Sequence, residues 1–234
     1  MTAEQAAAIF LIGLPIAFNV AFTLLARSFD YPDILRRPTD EILRRFDAGG
    51  SRLRTLWWAF MLTAVAMLPL AALVGAVLVG SVPTLAWLSM VIGTAAAIVQ
   101  ALGLARWPFV VPELARRWIA AEEGPAGDPQ RAAIDAVFTA LHRYAGVGVG
   151  EHLGYLLTGA WTVVVGLGFA LGGPVPAVVG WVAIPIGAAL AVGSLEFVGP
   201  NEPAGWSLAG RIVPIAYIAW SIWMLALGVA LLVS

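Results

Sequence analysis

The sequence predicts an all-α fold, a polytopic transmembrane bundle of six helices with short amphipathic helices on the cytoplasmic side. Three observations predict it. Hydrophobic residues make up 61% of the 234 and charged residues 12%. Soluble domains run at about 45–50% and about 25%, so lipid is the solvent that accepts the excess. Four uncharged runs hold room for six spans. All 13 basic residues are arginines, and a six-span count puts every one of them on the same side.

The uncharged runs are 5–26, 55–105, 153–195 and 212–234. A helix of roughly 20 apolar residues crosses a core about 30 Å thick. The first and last runs supply one span each, and the two long runs supply two each. Gly80-Ser81-Val82-Pro83 breaks the first long run and Gly172-Gly173-Pro174-Val175-Pro176 the second. The expected spans are about 6–26, 56–79, 84–105, 153–172, 176–195 and 212–233, in a single integral-membrane domain covering 1–234.

Arginine placement sets the orientation. Segment 27–55 holds Arg27, Arg36, Arg37, Arg44, Arg45, Arg52 and Arg54; segment 106–152 holds Arg106, Arg116, Arg117, Arg131 and Arg143; segment 196–211 holds Arg211. These are the expected cytoplasmic loops, which leaves both termini outside. The start, Met1-Thr2-Ala3-Glu4, has no positive n-region, so the first apolar run reads as a retained span rather than a signal peptide.

The loops carry helical patterns. Ile42, Leu43 and Phe46 share a face opposite Arg44 and Arg45, with Thr39 as N-cap and Gly49-Gly50 as the stop. This arginine helix either rests on anionic headgroups or simply sets topology. Asp128-Pro129 reads as a helix start, followed by an apolar stripe of Ile134, Val137, Phe138, Leu141 and Tyr144. That helix lies on the membrane or caps the bundle. Trp57, Trp58, Trp107, Trp118 and Trp206 fall near the cytoplasmic boundary and Trp87 near the outer one, as aromatic belts do.

A net charge of −1 argues against a nucleic-acid partner. With no cysteine, and with His142 and His152 in no His-x-x-x-His or Glu-x-x-His pair, neither a metal nor a cofactor is expected. The expected partners are the lipid bilayer and a small-molecule or lipid ligand; the oligomeric state is open.

Polar groups within spans are costly and informative. Most sit in the cytoplasmic half, among them Asn19, Gln100, Thr158, Ser194, Tyr217 and Ser221. Glu151, Tyr155, Thr158 and Thr162 follow i, i+4, i+7, i+11 spacing, one helical face. Such a stripe faces other helices or a water-filled cavity. The candidate cavity set is Glu151, His152, Tyr155, Thr158, Glu196, Gln100, Asn19, Arg106 and Arg211. Three readings stay open: metal or acid–base chemistry, a vestibule for a cation, proton or small ligand, or interfacial residues satisfied by arginines and headgroups. Gly150, Gly154 and Thr158, and likewise Ala183, Gly187 and Ala191, read as small-residue packing stripes.

Several segments carry a family resemblance. They are Tyr31-Pro32-Asp33-Ile34-Leu35-Arg36-Arg37-Pro38, Arg45-Phe46-Asp47-Ala48-Gly49-Gly50, Leu104-Ala105-Arg106-Trp107-Pro108-Phe109-Val110-Val111-Pro112 and Gly150-Glu151-His152-Leu153-Gly154-Tyr155. Together they resemble a family of bacterial multi-span integral-membrane proteins classed only as a domain of unknown function. The resemblance implies the bacterial inner membrane and draws interest to Arg106, Pro112, Glu151 and His152; it implies no activity. The residues themselves suggest binding or transport of a small molecule or lipid through a cytoplasm-facing cavity. The alternatives are a membrane-embedded enzyme and a scaffold using the arginine-rich loop.

Overall fold

The computed structural model of the chain describes residues 1–123, 127–202 and 204–234, with only the backbone of 122 and 123. Every regular element among them is helical. Helix α1 (Ala3–Phe29) starts with a reciprocal cap. The Thr2 hydroxyl accepts from the Gln5 N–H at 3.2 Å, and Gln5 Oε1 accepts from the Thr2 N–H at 3.1 Å. The long α2 (Thr39–Leu78) bends at Gly50, whose φ of 56° and ψ of −148° are open to glycine and almost nothing else. The expected stop at Gly49-Gly50 is thus a sharp bend between two helices. The residue capping the first of them is Pro38, not Thr39.

Then come α3 (Pro83–Phe109), with proline in its first turn, α4 (Val111–Glu123) and α5 (Gly127–Leu141). A π-helical segment, His142–Leu153, leads directly into α6 (Gly154–Gly172). Helices α7 (Ala177–Gly193) and α8 (Ser207–Val233) complete the chain. The intervals expected as loops, 27–55 and 106–152, are therefore largely helical, because their apolar residues find a surface to bury.

Five helical stretches are long and apolar enough to cross a membrane: Ala3–Phe29, Thr39–Leu78, Pro83–Ala121, Gly127–Gly172 and Ser207–Val233. The sixth apolar helix, Ala177–Gly193, has 17 residues, a length of about 25 Å at about 1.5 Å per residue. The helices form a closed ring, with α1 on α2, α2 on α3, α3 on α6, α6 on α7, α7 on α8 and α8 back on α1. Ile9, Ile16, Val91, Ile215, Ile222 and Val229 point outward from it, as lipid allows.

The ring has two cores. The first lies along the bundle and includes Leu70, Val74, Trp161, Phe169, Trp220 and Leu227. Here α6 and α7 meet backbone to backbone. A Cβ on Gly159 would lie 2.4 Å from the Gly187 carbonyl oxygen, and one on Gly187 would lie 2.5 Å from that of Gly159. The stripe of Ala183, Gly187 and Ala191 thus faces Gly159 and Gly166, whereas Gly150 and Gly154 face α3. The second core closes the arginine-rich end. Ile42, Leu43 and Phe46 of α2 pack there with Val111, Leu114, Ala115 and Trp118 of α4 and with Ile134 and Phe138 of α5.

Two expectations change in this cap. Trp57 and Trp107 are fully enclosed, with stacked rings 4.5 Å apart and the Phe29 edge on both. They are core residues, not belt residues. Of the α5 stripe, Ile134 and Phe138 are buried, while Val137 and Tyr144 are exposed. The wider π turn begins at His142 and shifts the register beyond it.

Ion pairs stitch the outside of the cap. Asp30 meets Arg37 at 3.2 Å and Arg45 at 3.7 Å; Glu41 meets Arg45 at 2.7 Å and Arg37 at 3.5 Å. Glu113 meets Arg116 and Arg117, each at 2.6 Å, and Glu202 meets Arg143 at 3.2 Å.

Candidate functional site

The π-helical segment and α3 approach so closely that only glycine fits between them. A Cβ on Gly103 would lie 2.5 Å from Gly150 Cα, and one on Gly146 would lie 2.7 Å from Arg106 Nη2. Gly146 lets the Arg106 side chain lie against the π-helical backbone, and Gly150 lets the backbone of Gly103 approach it. Arg106 is buried, donates from Nη1 to the Gly103 carbonyl, and holds its guanidinium carbon 5.2 Å from the Trp107 ring centre. It belongs to the last turns of α3, not to a loop.

Beside it lies a cavity of about 220 Å³. Its walls are aromatic: Phe18 and Phe22 of α1, Tyr31 after α1, Phe60 of α2, Trp107 of α3, Tyr155 of α6 and Tyr217 of α8. Asn19, Gln100, Arg106 and Glu151 add polarity. Asn19 donates from Nδ2 to the Pro15 carbonyl at 2.7 Å and to Ser221 Oγ at 2.9 Å. Gln100 donates to Thr158 Oγ1 at 2.9 Å. Thr158 in turn lies one turn before Thr162, which is buried and accepts from the Trp220 indole N–H at 3.0 Å. The predicted stripe on α6 thus faces inward and tethers α3 and α8.

A second, smaller cavity of about 140 Å³ adjoins on the other side of Glu151 and Tyr155, which line both. His152 and Glu196 line the second. The His152 ring donates from Nδ1 to the Ser194 carbonyl at 2.8 Å, fixing which nitrogen carries the proton. Glu196 pairs with Arg36 at 3.0 Å. Arg211 is exposed and lines neither cavity. Among the described residues, no group of three or more His, Asp or Glu side chains is placed to hold a metal ion.

Burial raises the Glu196 carboxyl above its ordinary value, and the Arg36 guanidinium opposes the rise. A raised carboxyl stabilises the fold below its unfolded value and loses that contribution as pH rises through the folded one. Arg36→Gln removes the opposing charge, so the variant is expected to lose more stability than the parent as pH rises above 4.5. Melting temperatures across that range check it; parallel profiles refute it.

Sequence reasoning missed the aromatic walls, because a phenylalanine in a span reads as core. The available signals were the Phe18-Asn19 pair with Phe22 one turn on, and Tyr31 in the Tyr31-Pro32 segment. Among the predicted residues, Asn19, Gln100, Arg106, Glu151 and Tyr155 come together on the larger cavity, with Thr158 beneath it. His152 and Glu196 meet Glu151 on the smaller one.

No curated protein and no solved structure matches the chain. A family model described as "Domain of unknown function (DUF4386)" matches residues 6–232. The chain therefore belongs to the DUF4386 family, and the buried arginine and its aromatic cavity lie within the segment that defines it.

Proposed function

We propose that this protein crosses the membrane six times, with both termini outside, and binds a small molecule in the larger cavity from the cytoplasmic side. The arginine asymmetry supports the orientation. The single observation that carries the binding reading is Glu151. Among the described residues, no hydrogen bond or direct ion pair engages its carboxylate, although it borders both cavities. A carboxylate held at a cavity within a bundle is costly unless something occupies that cavity with it.

The test is a thermal-shift screen of purified protein against a metabolite library. Compounds that stabilise the parent are expected to bind Glu151→Gln at least about tenfold more weakly, a difference of about 1.4 kcal/mol. Equal stabilisation of parent and variant by every compound would remove the cavity from the account.

A further inference from the structure

We infer that the ligand is a zwitterion, a small molecule with an organic cation and an acidic group close together. The inference rests on the binding reading and names the chemistry of the same cavity. Two opposite charges, Arg106 and Glu151, line one space, yet no direct ion pair joins them among the described residues. If the arrangement served only to neutralise two buried charges, contact would serve best, since attraction rises as the charges approach. Two opposite charges that line one space without a direct ion pair match a molecule that carries the reverse pair.

The walls agree with this chemistry. Tyr155, which packs edge-on against Tyr217 with ring centres 5.4 Å apart, lines the cavity with Glu151, and Tyr31 faces the same space. Aromatic faces beside a carboxylate favour an alkylated ammonium. To the same space Arg106 presents a guanidinium, the group that best grips a carboxylate or phosphate. Gly146 gives it the room to lie there. The volume, about 220 Å³, falls below the roughly 300 Å³ at which drug-sized sites begin, and so suits a compact solute or a single headgroup.

The experiment titrates trimethylammonioacetate, tetramethylammonium and acetate into the full chain by calorimetry, in nanodiscs of phosphatidylglycerol. The zwitterion is expected to bind at least about tenfold more tightly than either half. Glu151→Gln is expected to lose that advantage. Because Arg106→Gln alone leaves a carboxylate unbalanced, the double variant Arg106→Gln/Glu151→Gln serves as the neutral control and is expected to fold and to bind none of the three. Equal binding of tetramethylammonium or of acetate overturns the zwitterion. So does silence of all three while the library screen returns a Glu151-dependent ligand, and then the cavity reading survives. If the screen is silent too, both fall. Repeating the titration in phosphatidylcholine discs separates the sources. Weakening of tenfold or more identifies a lipid headgroup as the natural occupant, and unchanged affinity identifies a free solute; either keeps the class.

Discussion

Arg106→Leu is expected to cost about 3–5 kcal/mol of stability, the loss typical when the removal of one buried charge leaves a neighbouring buried charge of opposite sign uncompensated. Arg106 is buried, and the nearby Glu151 carboxylate has no hydrogen bond to fall back on among the described residues. Adding Glu151→Gln to the same chain is expected to restore much of the loss, since an amide carries no charge to strand. The coupling between the two sites, read from unfolding of the four chains in detergent, should reach about 0.5–3 kcal/mol. Strict additivity would show that the two charges do not feel each other, and the account of the cavity would lose its electrostatic basis.

Gly180→Val is expected to be almost as damaging for a different reason. A Cβ there would lie 2.4 Å from the Ala170 nitrogen and 2.4 Å from the Gly166 carbonyl oxygen. Both are backbone atoms of α6 and neither can step aside as a side-chain tip can. Overpacking of this kind costs about 1–3 kcal/mol, and the upper end applies because α6 and α7 must separate as rigid bodies. Gly13→Ala is the control: a Cβ there meets nothing within 4 Å, so its effect should stay below about 1 kcal/mol. Thermal unfolding of the two variants decides it, and equal melting temperatures would contradict the tight α6–α7 seam.

The spans were legible because hydropathy is a property of a window, not of a partner. The expected 84–105, 153–172 and 176–195 lie within a few residues of helices Pro83–Phe109, Gly154–Gly172 and Ala177–Gly193. Their continuations were legible only in part. The helices starting near Thr39 and Asp128 were read from local pattern, but nothing local tells that the first joins α2 through the bend at Gly50, or that Val111–Glu123 is helical and packs with them. Those elements form because Ile42, Phe46, Trp118 and Phe138 bury one another, which is a tertiary fact. The site divides in the same way. Glu151, Tyr155, Thr158 and Thr162 were found by spacing alone, which a straight helix preserves even past Leu153. The π turns before it were hidden, since glycine at 146, 148 and 150 announces close packing without saying what approaches. Here it is an arginine side chain and the backbone of Gly103.

The ion pairs that stitch the cap have a bearing on biogenesis. Under the proposed six-span topology, all of the 14 acidic residues but Glu4 fall on the side of the 13 arginines. The insertion machinery weighs cations and largely ignores acids, so the emerging chain presents a strong topological signal. In the folded protein Asp30, Glu41, Glu113 and Glu202 close on arginines, and acids and arginines on that side balance in number. The same arginines that would direct insertion are matched by carboxylates in the folded protein, so the finished surface would hold an anionic membrane only weakly.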